Sequence, residues 1–221
     1  MSYSVAIDGP AGAGKSTIAR QLARETGFIY VDTGAMYRAM ALYFLRQGIE
    51  PPEADRIAGA CKEADVTIVY EEGTQQVLLN GENVTGLLRT EEVGNMASAS
   101  SVYPEVRMKL VELQRKLARA SDVIMDGRDI GTYVLPGADV KVYLTASSAC
   151  RAKRRYEELQ EKRALGSMTL EEIKADIEER DYRDMHREFA PLRQAEDAVL
   201  VDSSDMTIQQ VMERIRSLIR P

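Results

Sequence analysis

Apolar residues along the chain switch between two spacings, and each switch marks an element. Val5-Ala6-Ile7 is a short continuous apolar run ending at Asp8-Gly9, the signature of a buried strand. After a glycine-rich stretch the apolar positions take helical spacing from Lys15 (Ile18, Ala19, Leu22, Ala23), with Gly27 placed to stop the helix. Phe28–Val31 reads as a second strand closed by Asp32-Thr33-Gly34. Met36, Tyr37, Met40, Ala41, Phe44 and Leu45 then lie on one face of a helix ended by Gly48. Strand, helix, strand, helix in short succession predicts parallel βαβ units.

Pro51-Pro52 breaks this rhythm. A short helix around Ala54–Lys62, a strand Val66–Tyr70, a turn at Glu72-Gly73 and a strand Val77–Leu79 follow, and Asn80-Gly81 is a hairpin signal. An antiparallel patch does not belong in a parallel sheet, so Pro51 to about Ser101 reads as an insertion. Pro104 suits the first turn of a long helix burying Val106, Leu110, Leu113 and Leu117. Core strands return at Asp122–Asp126 and Val140–Leu144. Ser147 or Ser148 caps the next helix, Gly166 interrupts it, and Thr169-Leu-Glu-Glu172 is a capping box restarting a helix to about Glu188. Val199–Asp202 is the last strand, and Thr207 caps the closing helix.

Composition narrows the class. At 221 residues the chain can bury a sizeable core, and 44% hydrophobic with 29% charged residues is a globular balance. No apolar run reaches the ~20 residues that span a bilayer, and Met1-Ser2-Tyr3-Ser4 has no signal-peptide character, so a cytoplasmic protein without a membrane partner is expected. Cys61 and Cys150 read as two free thiols. A net charge of −6 argues against a nucleic-acid partner. Arg outnumbers Lys 21 to 8, and Arg grips phosphate oxygens as a planar fork. Genome base composition can produce the same bias, so the positions of the arginines matter more.

The first chemistry-bearing segment is Gly9-Pro10-Ala11-Gly12-Ala13-Gly14-Lys15-Ser16, a full G-x-x-x-x-G-K-[ST] match between a strand and a helix. Its glycines let backbone N–H groups point at a phosphate, and the helix N-terminus adds its positive dipole end. Lys15 is placed to reach the β/γ-phosphates and Ser16 to ligate Mg²⁺. Asp126, ending a strand before Gly127, can orient the cation or its waters; capping a turn is its plainer role.

Three classes of nucleotide user compete. A GTPase switch would carry an Asn-Lys-x-Asp base reader, and the chain has no Asn-Lys pair. The motifs of a motor or assembly ATPase are missing too. A small kinase needs a second, cation-lined site, and Arg38, Arg128, Arg180, Arg183 and Arg187 are candidates. Arg180, Arg183, Asp184 and Arg187 share one helical face; alone, such a stripe would be a solvated surface laced with ion pairs.

These stretches carry a resemblance. Ile7-Asp-Gly-Pro-Ala-Gly-Ala-Gly-Lys-Ser-Thr17, Asp32-Thr-Gly-Ala-Met-Tyr-Arg38, Arg89-Thr-Glu-Glu-Val93, Asp126-Gly-Arg-Asp-Ile-Gly131, Glu179-Arg-Asp-Tyr-Arg-Asp184, Ala190-Pro-Leu192 and Val201-Asp-Ser203 resemble the bacterial cytidylate kinases over essentially the full length. The phosphate loop is common to many families. The D-[ST]-G-A-x-Y-R, D-G-R-D-x-G and E-R-D-x-R-D stretches together are specific to this one.

The resemblance implies an α/β fold: a parallel sheet of the P-loop NTPase type flanked by helices, an inserted acceptor-binding region of helices plus a small antiparallel sheet, and a helical lid. The core would be residues 1–37, 102–150 and 189–221, the insertion 38–101, and the lid with its flanking helix 151–188. It implies transfer of the γ-phosphoryl of ATP to CMP or dCMP with Mg²⁺, by a monomer; UMP, AMP or dTMP as acceptor, or an ATP-driven binding module, are the alternatives. ATP would lie on residues 9–17, among them Thr17, with Arg151 and Arg154 of the lid. Lys15, Asp126, Arg128 and Arg155 would be catalytic. Arg38, Arg128 and Arg180 would hold the acceptor's phosphate. Ser98, Arg107 and Arg187, supported by Asp129, would read the cytosine edge, and Thr33, Asp184 and Arg180 would contact the sugar. Tyr37 completes the acceptor site; without the resemblance it would read as core, and Ser98, Arg89 and Arg107 as surface residues.

Overall fold

The structure is a computed structural model describing residues 2–161 and 163–219. Strands β1 (Ser4–Asp8), β2 (Ile29–Asp32), β6 (Val123–Gly127), β7 (Val140–Thr145) and β8 (Val199–Asp202) form one sheet in the order β2-β6-β1-β7-β8. Every pairing in it is parallel. The innermost strands, β1 and β6, are buried nearly end to end, as a sheet covered on both faces requires. On one face pack α1 (Lys15–Thr26) and α8 (Ile208–Arg216), enclosing Ile18, Leu22, Ile124, Val142 and Val211.

The other face carries α2 (Thr33–Arg46), α3 (Ala54–Glu63), α4 (Glu91–Ser100) and α5 (Pro104–Ala120). The hairpin β3 (Val66–Glu71) and β4 (Thr74–Leu79), with the short β5 (Glu82–Asn83), makes the small antiparallel sheet. Helix α4 starts from a Thr90 cap. Met36, Phe44, Ile57, Val77, Met96, Leu110 and Met125 belong to one continuous core, so the insertion packs into the body of the protein rather than around a core of its own. The expected boundary at residues 37 and 38 falls inside α2.

β2 is an edge strand whose outer backbone groups need partners. The hairpin supplies them. The Tyr70 hydroxyl donates to the Tyr30 carbonyl at 3.1 Å, and the Gln75 amide exchanges two bonds with the backbone of Asp32, at 2.9 and 3.3 Å.

The remaining helices α6 (Ser148–Glu161) and α7 (Leu170–His186) form a hairpin with its own small core of Ala152, Leu159, Ile173 and Ile177. Ser147 caps α6 through the Cys150 N–H, and Thr169 with Glu172 makes the expected capping box on α7. Cys61 and Cys150 are free thiols. No described helix is long and apolar enough to cross a membrane.

Candidate active site

The turn from β1 into α1 relies on a glycine at each of its ends. Gly9 has φ +149°, and a Cβ there would overlap the carbonyl oxygen of Leu144 in β7. Gly14 has φ +88° and stands at the N-terminus of α1. Between them Pro10, Ala11, Gly12 and Ala13 arch over the end of the sheet, with Thr17 exposed in the first turn of the helix. Lys15 is buried, its Nζ donating to the Pro10 carbonyl at 2.7 Å. Burial, then repulsion from Arg128, lowers its pKa well below that of an ordinary lysine.

Beside the loop, Asp126 at the end of β6 accepts from two hydroxyls at 2.9 Å each, Ser16 on Oδ2 and Tyr30 on Oδ1. Burial and the nearby Asp32 raise its pKa. Hard oxygen donors at the mouth of a phosphate loop fit a magnesium ion completed by phosphate oxygens and water. Among the described residues, no three acids, histidines or cysteines cluster to hold a metal by themselves.

The segment just past Asp126 builds a second site. Arg128 Nε donates to Asp184 Oδ2 of α7 at 2.9 Å. The next residue, Asp129, is buried between two arginines from different elements. Arg107 of α5 bonds one carboxylate oxygen, and Arg187, just past α7, lies 3.4 Å from the other. Arg187 also approaches Asp184 at 3.7 Å. Burial works to raise Asp184, but Arg128, Arg187 and Arg180 hold it below the usual carboxylate range. Tyr37 places its ring 5.3 Å from the Arg107 guanidinium, and burial pushes its phenol up to about 12.

Several members of this cluster are unfinished. The Nε atoms of Arg38, Arg107 and Arg180 and the Oγ of Ser98 are shut from solvent without a protein partner. Buried polar atoms are normally satisfied, so the three arginine Nε atoms fit a polar ligand, though Gln114 and Thr132 also hold unpartnered buried atoms. Burial, then repulsion from Arg128, brings Arg180 down to about 10. Arg38 leans on Asp32 at 3.4 Å, and Arg89 of the insertion reaches the same carboxylate at 3.5 Å.

Other expected residues have structural occupations. The Thr33 hydroxyl donates to the Asp126 carbonyl at 2.7 Å, tying α2 to β6. The arginines expected at the ATP site each have a protein partner. Arg151 is buried, bonded to the Ala11 carbonyl at 2.9 Å and paired with Asp181 at 2.6 Å, so it fastens the helical hairpin to the phosphate loop. Arg154 binds the backbone and hydroxyl of Ser203, satisfying acceptors beyond the end of β8. Arg155, expected among the catalytic groups, is exposed and pairs with Glu158 at 3.0 Å on its own helix. Surface ion pairs of this kind hold weakly. His186 lies on the surface, stacked against Tyr182.

Two residues that the sequence did not single out support the site. Asp8 accepts from the N–H groups of Ile130 and Gly131 at 2.8 and 2.7 Å, which fixes the π-helical turn Ile130–Val134 behind Asp129. Tyr30 is the other. A strand-end carboxylate is visible in sequence; the two amides it meets, 122 and 123 residues away, are not.

A phosphate loop between β1 and α1 and a cluster of arginines beside the end of β6 make the protein, by class, a P-loop kinase. The family model described as cytidylate kinase matches residues 5–221. A cytidylate kinase of Desulfitobacterium hafniense is 49% identical, with 98% of this chain and 92% of that protein covered. One of Caldicellulosiruptor saccharolyticus is 48% identical over 97% and 94%. An uncharacterized protein of Eubacterium ventriosum shares the fold, with a TM-score of 0.50 at 13% identity, covering 98% of this chain and 99% of that one. The chain belongs to the cytidylate kinase family.

Proposed function

We propose that the protein transfers the γ-phosphoryl group of MgATP to a phosphate oxygen of CMP or dCMP, giving ADP and CDP or dCDP. One observation carries the reading: Arg128 and Asp129, in the arginine cluster, stand only two and three positions after Asp126, at the phosphate loop, where β6 ends. A donor on the first and an acceptor on the second would meet over that strand end.

The chemistry asks little proton transfer of the protein. A phosphate monoester has its second pKa near 6, so the acceptor is largely a dianion at neutral pH and already nucleophilic. Positioning and charge neutralisation remain. Loop N–H groups and Lys15 take the β- and γ-phosphates. Ser16 and Asp126 would hold Mg²⁺, directly and through water, and the bound cation would neutralise charge on the transferring group. Arg38, Arg128 and Arg180 would bind the acceptor's phosphate, while Ser98, Arg107, Asp129 and Arg187 would meet the base. Arg155, held by one exposed pair, is the lid arginine with freedom to turn inward as the helical hairpin closes and excludes water.

The test is ADP release with CMP, dCMP, UMP, AMP and dTMP assayed in parallel. CMP and dCMP should be the best acceptors. Preference for AMP or dTMP would reject the cytidine pocket, and ATP hydrolysis indifferent to every monophosphate would reject the kinase.

A further inference from the structure

Tyr30 has no role in the reaction as read above, yet its hydroxyl enters the centre of the site. The ring lies half-buried on edge strand β2, with the Arg20 guanidinium 5.7 Å from its centroid on one side. Its oxygen is 2.9 Å from Asp126 Oδ1, while Ser16 occupies Oδ2 at the same distance. The carboxylate is therefore clasped at both oxygens by hydroxyls of different elements, one on β2 and one on α1.

The two hydroxyls are not equivalent. A serine Oγ can donate to the carboxylate or turn its lone pairs toward a cation. A tyrosine at the end of a rigid ring on a paired strand has one direction to point. A carboxylate oxygen can only accept, so the Tyr30 hydroxyl is the donor in this contact.

We infer that Tyr30 is a positioning residue for the cation side of the phosphate site: by donating to Oδ1 it fixes the plane of the Asp126 carboxylate and leaves Oδ2 aimed at Ser16 and the metal's waters. The inference rests on the MgATP reading above and adds a residue to it. Without the donor, Oδ1 would be buried and unsatisfied, and the carboxylate would rotate toward Ser16, competing for the hydroxyl that the cation needs.

The measurement compares wild type, Tyr30→Phe and Tyr70→Phe. Tyr70 serves as the control because its hydroxyl bonds the backbone of Tyr30, so its removal disturbs the strand while leaving the Tyr30–Asp126 bond in place. Two readouts are needed: the Mg²⁺ concentration for half-maximal turnover at saturating ATP, and Mn²⁺ binding to the protein–ADP complex followed by electron paramagnetic resonance. In Tyr30→Phe both should weaken roughly ten- to hundredfold, the range for losing an outer-shell hydrogen bond to a metal ligand, with KM for CMP unchanged. Tyr70→Phe should leave both metal readouts at wild-type values. An unchanged metal requirement in a folded Tyr30→Phe protein, or an equal shift in Tyr70→Phe, would overturn the inference. A wild type with no cation-dependent kinase activity would instead remove the reading beneath it.

Discussion

Arg128 and Asp184 face each other at 2.9 Å across the gap between the end of β6 and helix α7. The contact joins the body of the protein to the helix that carries Arg180 and leads into Arg187, so an ion pair fixes one side of the arginine cluster proposed to take the acceptor. Arg128→Ala should fold but lose the anchor for the acceptor's phosphate. We expect kcat/KM for CMP to fall on the order of 100- to 1,000-fold, with KM for ATP nearly unchanged. Stability should drop by about 1–3 kcal/mol, because Asp184 keeps only the longer contact to Arg187. Steady-state kinetics and urea melts check both effects; a fully active variant would remove the acceptor site.

Asp129 separates two buried guanidinium groups, Arg107 and Arg187. Asp129→Asn keeps the shape and removes the charge between them. The expected result is a stability loss of about 3–5 kcal/mol, the range for stranding a buried charge, and a narrowed preference for CMP over UMP. A stable variant that still discriminates would place the base elsewhere.

Lys15→Ala is expected to behave in the opposite way. The amine is buried with one carbonyl partner, so its removal relieves a desolvated charge and should leave the melting temperature within a few degrees of wild type. Turnover, measured by coupled ADP release, should fall on the order of 100-fold or more.

Burial raises Asp8 from 3.8 to about 6, although two backbone N–H donors oppose the rise. Between those values the folded protein binds a proton that the unfolded chain has released, so acid favours folding through this group. Its unfavourable contribution is largest at neutral pH and fades as pH falls through 6. Relative to Asp8→Asn, the wild type should gain about 1 kcal/mol between pH 7 and pH 5, read from calorimetry on both proteins. A relative loss over that interval would contradict the assignment.

What the sequence made legible follows from the range of the interactions involved. The phosphate loop, the capping box at Thr169 and the Asn80-Gly81 turn are local, and each appears in the structure where residue type and spacing put it. The arginines of the acceptor cluster could be suspected one by one. Their joining through Asp129 and Asp184 depends on α5, β6 and α7 meeting in space. Helix α4 was hard to read because Gly94, Asn95 and a run of Ala and Ser leave its apolar face thin. The partners of Arg151 and Arg154, the Ala11 and Ser203 carbonyls, lie 140 and 49 residues away in sequence, so no local pattern announces them. The π-helical turn behind Asp129 rests on a carboxylate 122 residues earlier in the chain, which no local pattern encodes.

Gly9 meets β7 so closely that the position has almost no evolutionary latitude. Even a methyl group there must displace the Leu144 carbonyl and push β1 and β7 away from each other, whereas Gly14 has open space around it and is restricted by its backbone angle alone. A saturation library selected for growth should therefore return a single letter at codon 9 and admit asparagine, which tolerates left-handed geometry, at codon 14. The loop's two indispensable-looking glycines thus carry different tolerances for drift, one set by a neighbour and the other by torsion.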